Sequence, residues 1–160
     1  MGSIKGIVIG IIIIVVIVIL VGTGVFIHHK RKESALKPVF FDTPHRAHEE
    51  HTIPGGKVIP VGDVYTFTYH TFIYIKDWKY KYGFEKDIMT KGIGAYVCPS
   101  LHLSPKINDV VIRINTTRGI QTLYIRNVNV RKWCHIGMCV HEQEVDLYLD
   151  GRLQSTVILE

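Results

Sequence analysis

The sequence predicts an all-β protein, an antiparallel β-sandwich, behind one N-terminal transmembrane helix. Three observations carry that prediction. An uncharged apolar run fills Ile7 to Ile27, a period of two governs the chain from Val64 onward, and turn residues interrupt that alternation at roughly ten-residue intervals. Short alternating strands at that spacing, with no helical period beyond the apolar run, specify a two-layer antiparallel fold.

The apolar run sets the layout. It contains Ile, Val, Leu, Gly, Phe and one Thr, and at ~1.5 Å per residue it spans ~31 Å, the hydrocarbon thickness of a bilayer. Lipid offers no partner for backbone N–H and C=O groups, so the segment must be helical despite its many β-branched residues. A cleaved secretory signal would have an apolar stretch of only ~7–15 residues and a small-residue cleavage site. Here the run is longer, Lys5 is the sole cation before it, and a retained anchor is expected. Residues 1–6 are then a short tail. Gly6 and Gly10 form a GxxxG pair at the start of the helix, a spacing used in helix association.

Residues 28–52 form a basic collar and a His- and Pro-containing spacer. Lys30, Arg31 and Lys32 follow the helix directly and suit anionic head groups. They outnumber the basic residues ahead of it, so the positive-inside rule places the C-terminal domain on the cytosolic side of a single-pass protein. His45, His48 and His51 recur every three residues beside Glu49 and Glu50. On a helix they would share neighbouring turns and suit zinc, but Pro38, Pro44 and Pro54 argue for an irregular, solvated spacer. No metal or other cofactor is expected.

The domain proper is expected over residues 53–160, enough for one core. It carries 13 Lys and Arg against 10 Asp and Glu, too weak and dispersed a charge for nucleic acid. Cys98, Cys134 and Cys139 are odd in number; Cys134 and Cys139, five apart, would face opposite sides of one strand. Free thiols are therefore expected, in keeping with a reducing compartment. Asn115-Thr116-Thr117 is a glycosylation acceptor that would be used only on the lumenal or external side.

Strands follow in order. Val64 to Tyr74 alternates with apolar residues on both faces, which reads as a central strand. Lys86 to Lys91 is short, Ala95 to Leu103 is broken by Pro99, and Asn108-Asp109 turns into Val110 to Ile114. Ile120 to Val128, Trp133 to Val140 and Val145 to Leu149 follow, and Asp150-Gly151 is a two-residue hairpin signal leading into Leu153 to Leu159.

Ile75-Lys76-Asp77-Trp78, Lys132-Trp133-Cys134-His135-Ile136 and Val145-Asp146-Leu147-Tyr148-Leu149-Asp150-Gly151-Arg152-Leu153 together resemble the laminin-G-like, concanavalin A-like domains. The resemblance covers about Ile53 to Glu160, is most specific in the last 30 residues, and implies a jelly-roll winding of the sandwich. The short layout with an N-terminal anchor is also similar to reading frames of large double-stranded DNA viruses.

Catalytic sets are incomplete. Glu144 and Asp146 begin the Glu-x-Asp strand of laminarinase-like glucanases, but Tyr148 and Leu149 stand where the third carboxylate belongs, and a retaining mechanism needs it ~5 Å away. No catalytic residue is assigned. Trp133 reads as a core anchor. Trp78, Tyr80 and Tyr82, interleaved with Lys79 and Lys81, read as one exposed aromatic face for a partner. The expected function is a non-enzymatic, membrane-anchored structural protein with protein partners, in particular a minor capsid or membrane-to-capsid linking component of a virion. The alternative is a surface lectin or adhesion module binding glycans. With a protease site and tag placed after Glu160, the charge asymmetry predicts digestion from the cytosolic side of intact membranes. Protection there, with a glycan on Asn115, would contradict it.

Overall fold

The computed structural model describes residues 2–35, 38–58, 66–94 and 97–160, and the chain divides into two units, Met1–Pro60 and Val61–Glu160. In the first unit, α1 (Gly2–Ala35) is one helix of 34 residues. Its stretch Gly6–Arg31 is long and apolar enough to cross a membrane. The apolar side chains from Ile7 to Ile27 are exposed. Thr23, the one hydroxyl in the run, donates back to the carbonyls of Ile19 and Leu20 at 2.9 and 3.0 Å, so it adds no unsatisfied polar group. Lys30 and Arg31 belong to the last turns of this helix, and the side chain of Lys32 lies outside the described residues. From Pro38 to Pro54 the described backbone is irregular, as the prolines dictate, and Gly55–Lys57 forms a single 3₁₀ turn.

The second unit holds eight strands: β1 (Thr66–Tyr74), β2 (Lys86–Thr90), β3 (Ser100–Leu103), β4 (Val110–Thr116), β5 (Gly119–Ile125), β6 (Trp133–His141), β7 (Glu144–Leu149) and β8 (Arg152–Ile158). They form two four-stranded antiparallel sheets, ordered β1-β6-β7-β8 and β2-β3-β4-β5. The sandwich behind an apolar helix is therefore as the periodicity predicts. The jelly-roll winding is not confirmed: β2 to β5 and β6 to β8 are runs of hairpins within one sheet, whereas a jelly roll passes repeatedly between sheets. Val64, Tyr65, Ala95 and Tyr96, expected as strand residues, lie outside the described residues.

Alternation builds the core. Ile112, Ile125, Ile136, Met138, Val145 and Leu147 are fully buried between the sheets, each worth about 1.5–3 kcal/mol of transfer from water. Cys134 joins them with zero exposure, and burial pushes its thiol pKa up, so it acts as a small hydrophobe. Cys139 faces the other way, as the odd spacing requires, and all three cysteines are free. Asp109, buried at the start of β4, accepts from the backbone N–H of Asn127 at 3.0 Å, while Asn108 and Val128 exchange bonds at 2.7 and 3.3 Å. These contacts tie the β5–β6 crossing to the sandwich.

Two sequence expectations are corrected here. β1 is an edge strand, pairing with β6 alone among the described strands, and its second apolar face is exposed because in a two-layer sandwich only the inward face of a strand meets the other sheet. Trp133 is no core anchor: it is 53% exposed, because its neighbour Cys134 takes the inward position and strand geometry turns Trp133 outward.

On the other sheet, Arg113 grips Glu85 through both guanidinium arms, one at 2.9 Å, with the two side chains 34% and 35% exposed. Hydrogen bonding from Arg113 holds the Glu85 carboxyl below its ordinary 4.5. A carboxyl with a pKa lower in the folded than in the unfolded state adds stability that is full above the unfolded value and is lost as pH falls through the folded one. Glu85→Gln is therefore less stable than the parent at about pH 7, by roughly 0.2–1 kcal/mol for so open a pair. Urea unfolding repeated at successively lower pH should find that gap shrinking as pH falls below the ordinary carboxyl value and through the lowered one.

Candidate functional site

Inward and outward residues of β1 and β6 separate cleanly. Phe67, Tyr69 and Ile73 pack on the core, and Lys91 stands over the rings of Phe67 and Tyr69 at 5.9 and 5.7 Å. The outward set is also aromatic. Register sets Tyr74 opposite Trp133, Phe72 opposite His135 and His70 opposite Gly137. Their rings meet: Tyr74 and Trp133 centroids are 5.6 Å apart, Phe72 and His135 4.8 Å, His70 and His135 5.5 Å. Interplanar angles of 48–58° make the patch a set of tilted rings and not a flat platform. Phe72 is 64% and Tyr74 49% exposed, an unusual amount of aromatic surface to leave in water.

Gly137 shapes the floor. Without a side chain it leaves a gap between His70 on β1 and Tyr148 on β7, its two register partners. A Cβ added there would come within 3.3 Å of the Tyr148 Cβ and 3.6 Å of His135 Cε1. A strand glycine of this kind lets another surface approach the backbone closely. Two shallow, mainly apolar depressions result. One of about 430 Å³ is lined by Phe72, Trp133, His135, Asp150 and Gly151; the other, about 300 Å³, lies over Thr68, His70, Gly137, Cys139 and Tyr148 and shares His135 and Gly151.

The rim is held by the Asp150-Gly151 turn. Both residues have positive φ, 51° and 75°, the two-residue turn the sequence signals. Asp150 accepts from the His135 N–H through its carboxylate at 2.9 Å and returns its own N–H to the His135 carbonyl at 2.8 Å. That exchange fixes the turn against β6. Asp146 is occupied as well: Thr156 and Tyr148 both donate hydroxyls to it, the latter at 3.3 Å. Burial, followed by the adjacent Asp146 charge, raises the Tyr148 phenol, so it remains a neutral donor.

The residues singled out from sequence are spread more widely. Trp78 is half-buried on the core cluster, and its indole N–H donates to the Ser104 carbonyl at 3.0 Å. Tyr80 and Tyr82 are exposed at 59% and 60%, in a run of turns that starts where Asp77 accepts from the Lys79 N–H at 2.8 Å and includes Lys81 at φ 47°. Turns do not alternate, so the three aromatics do not share one face. Asn115 is exposed on β4, and its side-chain amide donates to the Val97 carbonyl at 3.1 Å. His45 and His51 meet edge-on at 4.7 Å between ring centroids and both lie tilted against Phe41, while His48 lies 3.6 Å from Glu49. Among the described residues no three His, Cys, Asp or Glu side chains converge as a metal site requires.

Sequence reading passed over His70, Phe72, Tyr74, His135 and Gly137. The signal for them in the sequence is the aromatic content of both faces of β1, which fits a central strand equally well. Comparison with known proteins gives no match to a family model, a curated protein or a solved structure.

Proposed function

We propose that this chain is a non-enzymatic, membrane-anchored interaction protein that holds a protein partner on the outer face of its β1-β6-β7-β8 sheet. The observation that carries the reading is the exposed cluster of Phe72, Tyr74, Trp133 and His135 around the Gly137 floor. Aromatic anchors beside shallow apolar hollows suit a partner's protruding apolar side chains, and hot spots in protein interfaces are built from such groups. The tilt of the rings suits protein side chains better than the flat face of a sugar. Anchoring is supported by α1, whose exposed apolar surface lipid would cover, and the cations Lys30 and Arg31 favour a cytosolic domain.

A finer version makes the protein a minor capsid or membrane-to-capsid linking component of a virion. Support comes from the anchor-plus-sandwich layout similar to that of large double-stranded DNA virus reading frames, and from three free thiols, which suit the reducing cytosolic side where such shells would assemble. The laminin-G-like and concanavalin A-like resemblance belongs to this finer level too. A lectin reading is favoured by one observation, the exposed Trp133, since indole rings also stack on sugars.

Extraction in mild detergent tests the proposal. The parent chain should sediment with a larger assembly, and Phe72→Ala/Trp133→Ala, still folded by circular dichroism, should leave it, because two central aromatic anchors each contribute about 2 kcal/mol or more. A parent chain that sediments alone overturns the proposal. Glycan-array binding that the same double variant abolishes would move the assignment to a lectin.

A further inference from the structure

Among the described residues the outer edge of β1 is unpaired, and it is the longest sheet edge without a charge, a proline or a register shift. An edge strand presents unpaired N–H and C=O groups, and proteins usually blunt it with charges, proline or bulges. β2 and β8 each carry a register shift, between Asp87 and Met89 and opposite Leu147–Tyr148, together with charged residues such as Lys86 and Arg152. β5 also lacks charges, proline and a register shift within its seven residues, but Arg118 and Arg126 flank it directly at both ends. β1 is the longer: nine residues in unbroken register with β6, with no proline and no Lys, Arg, Asp or Glu.

Its sequence is also complementary to itself. Laid antiparallel against a second copy about His70, the outward residues pair Thr68 with Phe72 and Thr66 with Tyr74. The inward residues pair Tyr69 with Thr71 and Phe67 with Ile73. Every pair off the axis sets an aromatic ring against a β-branched side chain, the cross-strand combination that stabilises antiparallel sheets. Outward residues meet outward ones, so the faces of both sheets agree. From this we infer that two copies of the chain associate through β1, joining their sheets into one eight-stranded sheet with His70 facing its symmetry mate on the twofold axis. Such an isologous contact satisfies the edge and closes after two copies. It extends the aromatic outer face across the axis, and although Thr68, His70 and Phe72 also line the depressions, copy number is read separately from binding of the partner proposed above.

Light scattering on the full chain in detergent, read as protein mass per particle, tests the inference. The parent should be a dimer at micromolar concentration. His70→Glu and His70→Lys, changed at an exposed position, should each place like charges across the axis and weaken association at least about tenfold. Mixing the two should restore a dimer containing one of each. His70→Asp and His70→Arg repeat the test if either variant loses the β-sheet dichroism of the parent. A monomeric parent, variants that remain dimeric (as they would if the Gly6–Gly10 face of α1 held the copies together), or monomeric variants whose mixture stays monomeric would each overturn it.

Discussion

The nine-residue ladder between β1 and β6 is the contact on which the rest of the sandwich depends. It joins residues 66–74 to residues 133–141, far apart in the chain, whereas each of the other ladders joins strands next to one another in sequence. Its loop-closure entropy must be offset by burial, and the inward residues provide that burial: Phe67, Tyr69 and Ile73 from β1, Cys134, Ile136, Met138 and Val140 from β6. The crossing that leads into β6 is secured separately by Asp109 and Asn108.

Once that ladder is set, the period of two decides the functional surface. Every inward residue of β6 fixes an outward one, so the same strand that fills the core with Ile136 and Met138 presents Trp133, His135 and the Gly137 gap. Packing then determines the pose of the site. The Asp150 turn clamps His135 through its backbone, and Asp146 holds Tyr148. A recognition face built on paired strands in this way is preorganised, which lowers the ordering cost of binding.

Much of the fold was legible in the sequence because turn chemistry is local. Asp150-Gly151 marks its turn from two residues alone, and Val145 and Leu147 are set inward by the polar Glu144 and Asp146 that alternate with them. Orientation failed where both alternating sets are apolar. In β1 either face could be buried on composition alone, and only the pairing with β6, which no local signal gives, leaves Phe72 and Tyr74 outside. Trp133 was misplaced for a related reason, since a tryptophan beside a cysteine offers two hydrophobes for one inward position and the smaller took it. For Trp78, Tyr80 and Tyr82 alternation was assumed across a segment that the Asp77 side chain and Lys81 turn out of strand geometry.

The account's central claim is that the outer face of the β1–β6 pair is covered by a protein partner in the assembled state. Hydroxyl-radical footprinting resolved by residue tests it most directly. Trp133 and Phe72 should be oxidised readily in the purified chain in detergent and be shielded in native membranes, while Tyr80 and Tyr82 stay reactive in both. Equal oxidation of Trp133 and Phe72 in the two preparations would contradict the claim.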